Sequence, residues 1–490
     1  MQDLKQKSIR GGLARSCAQS MSLLLRVGSL MILARVLDPK DFGFVNMVTA
    51  LTGVLTWFRD FGLSSAAIQR STVTEEQIST LFWINIAVGG VLALVVVGAA
   101  PAIAAFYSEP ELFAVTAALG TAFLFNGAGI QHSARLQRQM RFTALAVISV
   151  VSLIIGNTIG ICGAFSGYGY WALVAMSVAM PLTATIGYWI ATGWVPGMPR
   201  RRAGIRSMIH FGGTVTLNGL VAYIAFNAEK IMIGRLWGAE AIGLYGRAYQ
   251  LVSIPTDNLN CAVGEVAFAA LSRLQDEPLR QKSYFLKGLS LFFGLTLPIT
   301  MICALYADDV VVVFLGPKWI ATAETVRFLA PTIAIFAIIN PLGWLIYAMG
   351  LVGRGLRIAL AVAPLMIAAY AVGLRYGPNG VAFAYSSAMA LWAIPVILWC
   401  VSGTAVSFRD ILEAVSGPLT SGIPAGALAL GVRVICGHSI PSLPRLALGS
   451  SILLVTFFGV LLCAEKQKSL YLDLLRGLRV PFSAVHKIVA

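Results

Sequence analysis

The residue in this chain with the most chemistry to explain is an arginine in a place where arginine is costly. Arg26 lies near the middle of an apolar run, about ten residues or roughly 15 Å of helix from either end. The guanidinium cannot easily snorkel out from there, and a central arginine costs ~2.5 kcal/mol or more even on the gentlest insertion scale. Arg15, Gln19, Ser22, Arg26 and Ser29 recur at helical steps and share one face. The next run repeats the pattern with Asn46, Thr49, Gly53, Thr56 and Asp60, and a later one with Tyr249, Ser253, Thr256 and Asn260. Between them stand Tyr223, Asn227 and Lys230, with Glu229 alongside. Helix packing explains any single Ser, Thr or Asn in such a stripe, but it does not explain a buried charge.

Arg26, Lys230 and Arg247 form a candidate set for holding phosphate, because guanidinium and ammonium groups match phosphate oxygens. Gln19, Ser22, Asn46, Thr49, Asp60, Tyr223, Asn227, Tyr249, Thr256 and Asn260 are the candidate lining of a polar cavity, the tyrosines offering flat faces to sugar rings. Asp60, Glu229, Asp257 and Glu265 are the candidates for ion coupling. A structural account competes at two of these positions. Lys230 has Glu229 beside it and a nearer span end, and Arg26 could balance Asp60 or Glu265. A cationic cavity repels a permeating cation and holds an anionic headgroup, so the pattern suits a substrate with phosphate, sugar and an apolar tail that stays in lipid. No catalytic residue is expected. The four histidines show no metal spacing, no paired acid and base appears, and no phosphate-binding G-x-x-x-x-G-K-[ST] loop occurs, so neither metal nor cofactor is anticipated.

The elements that must carry these residues are membrane helices. Of 490 residues 58% are hydrophobic and 12% charged, with mean hydropathy +0.81, and apolar runs of span length recur throughout. A net charge of +15 would suggest nucleic acid in a soluble protein. Here the basic residues sit in short loops between apolar runs, so no nucleic-acid partner is expected. The seven cysteines form no C-x-x-C pair and read as small packing residues. Lys5, Lys7 and Arg10 precede an apolar stretch, as in a signal peptide. Arg15, Gln19 and Arg26 interrupt that stretch and no small-residue cleavage site follows, so a retained first helix is expected.

The spacing predicts about fourteen spans, near 16–36, 42–58, 80–103, 112–131, 142–164, 170–192, 208–236, 241–263, 285–306, 323–347, 356–375, 380–401, 414–435 and 443–464. They are helices, because open strands cannot satisfy their backbone in hydrocarbon. Apart from Arg26, the lysines and arginines divide 25 to 10 between the two sides, which places both termini in the cytoplasm. The longest loops, roughly 20 residues, leave no room for an extramembrane catalytic domain.

The chain also repeats itself. Ile32 to Leu37 and Gly43-Phe44-Val45 match Met232 to Trp237 and Gly243-Leu244-Tyr245 at a constant offset of 200. Ala66 to Arg70 resembles Ala269 to Arg273, and Arg138 to Phe142 resembles Arg354 to Ile358. Two six-span lobes, 1–200 and 201–405, are expected to be related by an axis along the membrane normal, since six is even. Residues 406–465 add two helices and 466–490 a basic cytoplasmic tail.

At these residues the chain resembles the oligosaccharide flippases of bacterial surface-polysaccharide synthesis, Wzx-type members of the multidrug/oligosaccharidyl-lipid/polysaccharide exporter superfamily. Leu33 to Gly43, Asp60 to Arg70, Thr80 to Trp83, Pro101 through Tyr107 and Asn227 to Arg235 carry the likeness, with Glu229 where the family usually has Asp. The resemblance implies an all-α inner-membrane protein whose lobes face across a cavity lined by spans 1, 2, 7 and 8. It implies an undecaprenyl-diphosphate-linked repeat unit, moved from the cytoplasmic to the periplasmic leaflet by alternating access under an ion gradient. The partners to expect are the lipid-linked oligosaccharide, membrane lipids, and the polysaccharide polymerase and chain-length machinery. A drug or cation antiporter of the same superfamily would favour an acidic cavity. A peptidoglycan-precursor flippase differs only in substrate.

Overall fold

The computed structural model describes residues 2–58, 74–199, 223, 227–437 and 439–463, and omits the side chains of 2–16, 262, 265 and 352. Among the described residues all regular structure is helical, and ten helical segments are long and apolar enough to cross a membrane. The helices are α1 (Gln2–Val36), α2 (Pro39–Thr52), α3 (Glu75–Tyr107), α4 (Leu112–Arg138), α5 (Phe142–Phe165), α6 (Tyr170–Thr192), α7 (Ala228–Arg273), α8 (Pro278–Leu305), α9 (Ala307–Phe314), α10 (Thr322–Ala348), α11 (Val352–Gly373), α12 (Gly377–Val401), α13 (Phe408–Cys436) and α14 (Ser442–Cys463).

The expected spans fall on these helices, most with ends a few residues longer. Two differences have local causes. The second expected span is α2 followed by a tighter 3₁₀ turn over Gly53–Trp57. The eighth lies inside α7, which breaks at Gly238, where φ is +81° and only glycine sits without strain. Most of the seventh, 208–236, lies outside the described residues up to position 226.

The chain forms two compact units. The first holds residues 1–246 with 314–319 and 363–381; the second holds 247–313, 320–362 and 382–490. In the first unit α3 and α4 run antiparallel and meet at Gly89 and Gly127, where a Cβ on either would strike the other helix's backbone. Leu92, Val96 and Phe123 pack beside that crossing. After α6 the chain is pinned back: the Trp83 indole donates to Gly197 O at 2.9 Å and the Gly197 N–H to Ser79 Oγ at 3.1 Å.

Segments from both sequence halves meet in this unit. A Cβ on Gly43 would overlap the Ala239 carbonyl, and one on Gly243 would overlap the Pro39 carbonyl. These are the same contact exchanged between positions 200 apart. Asn46 meets Gly246, its own counterpart, and donates to Ile242 O at 3.4 Å. Two equivalent pairs straddle the line and a self-pair sits on it several residues further along. This exchange of contacts is what a two-fold axis along the helices would give, the relation expected of even-numbered halves. Trp319 closes the same region, donating to Ala34 O at 2.7 Å and packing edge-on to Phe42.

In the second unit the pair α13 and α14 is fastened at two places, to α8 at one end and to α9 at the other. Lys282 and Asp410 pair at 2.6 Å at one end. At the other, Asp309 accepts from Arg445 Nε at 2.9 and 3.0 Å, deeply buried, and Asp308 takes Arg327 and Arg433, each at 2.9 Å. Tyr306 donates to Ala429 O at 2.6 Å alongside.

Candidate functional site

Arg26 projects from α1 as an exposed side chain and makes no ion pair with a described residue. Its carbonyl accepts from Ser29 Oγ at 3.1 Å, so the stripe residue Ser29 secures the backbone beneath it. Asn157 on α5 donates to the adjacent Leu25 carbonyl at 3.3 Å, fixing α1 where Arg26 leaves it. Gln19 and Ser22 are half-buried on the same helix. Asp60 and the Glu265 side chain, the acids that could balance Arg26, lie outside the described residues.

The polar residues of α2 and of the start of α7 come together in the first unit. Tyr223 donates to the carbonyls of Thr49 and Ala50 at 3.1 and 3.2 Å and stands against Gly53. Both carbonyls lie in the last turn of α2, where it passes into its 3₁₀ turn, and Thr49 O also accepts from the Gly53 N–H. Asn227 donates to Tyr223 O at 3.0 Å and accepts from Lys230 Nζ at 2.7 Å, so the amide sets the direction of the ammonium. Glu229 is 2% exposed, and its Oε2 has no hydrogen-bond partner. Thr49 is exposed, its hydroxyl turned back to Val45 O at 2.8 Å.

The remaining sequence candidates belong to the second unit. Arg247 and Tyr249 are half-buried, and Arg247 donates to Gln250 Oε1. Thr256 is buried and returns its hydroxyl to Val252 O at 3.1 Å. Asn260 has a buried, unpartnered Oδ1, and Asp257 is exposed. Sequence reading missed Tyr107 on α3, which donates to Met47 O at 3.3 Å and packs on Gly234. Its signal was its place in the Phe106-Tyr107 pair that closes α3. Among the described residues no His, Cys, Asp and Glu are grouped to hold a metal.

The family of polysaccharide biosynthesis proteins matches residues 32–324, which include the last five residues of α1, α2 and the Tyr223–Lys230 segment. This chain belongs to that family. The lipopolysaccharide biosynthesis protein WzxC of Escherichia coli is 24% identical over 376 residues, 76% of either chain. The teichuronic acid biosynthesis protein TuaB of Bacillus subtilis is 30% identical over 293 residues, 59% of this chain and 61% of that protein. Among solved structures, the lipid II flippase MurJ in an inward closed conformation superimposes with a TM-score of 0.73 at 13% identity, over 95% of this chain and all of that one. An inward-facing multidrug transporter of the MATE family gives 0.61 at 13% identity, over 82% of this chain and 98% of its own. Family membership and fold thus agree: a polysaccharide biosynthesis protein whose helical fold is similar to those of the MurJ and MATE structures.

Proposed function

We propose that this chain is a flippase that carries an undecaprenyl-diphosphate-linked oligosaccharide repeat unit from the cytoplasmic to the periplasmic leaflet of the inner membrane, for surface-polysaccharide synthesis. The observation that carries this reading is Arg26, a mid-span guanidinium that is exposed and makes no ion pair with a described residue. A diphosphate entering a partly dehydrated cavity needs counter-charge, and Arg26, Lys230 and Arg247 supply it. The WzxC and TuaB names and the MurJ fold support the same substrate class.

In this reading residues 1–200 and 201–405 are the two lobes, 406–465 the added pair and 466–490 the cytoplasmic tail. The loop-charge bias puts the Gly43–Gly243 contact on the periplasmic side, so the headgroup enters from the cytoplasm. Glu229, buried with a bare oxygen, and the exposed Asp257 are the acids for ion coupling, with Asp60 and Glu265 completing the set. The polymerase and chain-length machinery receive the product outside.

The test is complementation of a deletion strain. The wild-type gene restores polymer export. The Arg26→Ala variant, at matched membrane abundance, leaves lipid-linked repeat units in the cytoplasmic leaflet. Normal export by that variant would end the proposal.

A further inference from the structure

Two arginines in the second unit share one carboxylate oxygen. Arg327 near the start of α10 and Arg433 in the last turn of α13 each reach Asp308 Oδ2 through Nη2 at 2.9 Å. The neighbouring Asp309 is already matched by Arg445. One carboxylate oxygen therefore faces two guanidiniums. Each guanidinium has five N–H donors. The structure uses one direction from each, and Arg327 Nε is buried with no partner.

The cluster is reachable, with the side chains of Arg327, Arg433 and Asp308 about a third exposed at 39%, 33% and 38%. Its surroundings are apolar and open: Val434, Ile435 and Leu443 are 73%, 85% and 64% exposed at the same helix ends. Span ends are where lipid phosphates lie. Paired basic groups beside exposed aliphatic side chains suit a headgroup phosphate with its acyl chains along the helices.

We propose that Arg327 and Arg433 form a binding site for the phosphodiester headgroup of an anionic phospholipid, with Val434, Ile435 and Leu443 receiving its chains. The free guanidinium N–H groups take the phosphate oxygens, in competition with the Asp308 carboxylate. This site serves the membrane and does not depend on which lipid-linked substrate the protein moves.

The experiment is native mass spectrometry of the full chain, incubated with phosphatidylglycerol or with phosphatidylcholine. Phosphatidylglycerol should be retained and phosphatidylcholine lost. Each Arg→Gln change, R327Q or R433Q, should lower retention roughly fivefold. The R327K/R433K variant keeps the charge, guards against misfolding and should retain most of the lipid. D308N removes the competing carboxylate and should raise retention, whereas a purely structural ion cluster would gain nothing from it. Equal retention of the two lipids by wild type, unchanged retention in folded R327Q/R433Q, or a fall in D308N would each overturn the site.

Discussion

Gly43 and Gly243 occupy equivalent places 200 residues apart, and each presses its Cα against a backbone carbonyl of the other's segment, Ala239 for one and Pro39 for the other. Two helix backbones touch here with no side chain between them. A branched residue at either site cannot be accommodated by a rotamer change, because what it strikes is main chain. We expect Gly43→Val or Gly243→Val to weaken this contact by about 1–3 kcal/mol, the usual cost of overpacking, and to favour arrangements in which it is open. Oxidative cross-linking of Asn46→Cys with Gly246→Cys reads the contact directly. Its yield should fall in either valine variant, and an unchanged yield would show that the two segments are held elsewhere.

The same cysteine pair makes a functional prediction. A Cβ on Gly246 would stand 3.3 Å from Asn46 Cγ, close enough for a disulfide after small adjustment. Oxidant should stop polymer export in cells carrying both cysteines, and reductant should restore it. Export that continues with the bond fully formed would mean this contact never needs to open.

At position 26 the charge matters more than the fork. Arg26→Lys should retain partial export and Arg26→Ala none, with both variants folded. If the arginine instead balances Asp60 or Glu265, the alanine variant should lose abundance by stranding a charge, and neutralising that acid should restore both abundance and export. Membrane blots beside polymer assays separate the two accounts.

Orientation follows from the 25 to 10 division of basic residues. Reporter fusions should place Arg200–Arg206 and the C-terminal tail in the cytoplasm and Glu109–Glu111 outside. A periplasmic C-terminus would require an odd number of spans.

The Asp309–Arg445 pair is buried on both sides, with 3% and 9% side-chain exposure. Arg445→Ala should cost about 3–5 kcal/mol by leaving Asp309 uncompensated. Combining it with Asp309→Asn should recover much of that loss. Thermal unfolding of the purified protein checks the order of the three variants.

The architecture was legible because lipid permits few solutions. Apolar runs of span length become helices, and their ends fell close to the observed ones; Tyr170–Thr192 agreed at both. The 200-residue offset read in the sequence marks two positions, Gly43 and Gly243, that make exchanged contacts in the structure. What escaped was pairing at long range. Asp308 and Asp309 are adjacent acids, and two of their arginines come from 125 and 136 residues away, which no local pattern announces. Both acids lie in the first turn of the eight-residue α9, too short to register as a span. Tyr223 read as a flat face for sugar; its hydroxyl is bound to carbonyls in the last turn of α2, a contact between positions 173 and 174 residues apart that no local pattern announces. Arg26 was conspicuous from sequence because its cost is set by depth alone.

The fastening of α13 and α14 to α8 and α9 bears on how this chain could be shortened. Removal of everything after Val401 would not leave a self-sufficient twelve-span carrier. It would leave Lys282 without Asp410 at one face and Asp309 without Arg445 at the other, and it would expose Tyr306 where its hydroxyl now meets Ala429. The last pair has become part of the wall it was added to.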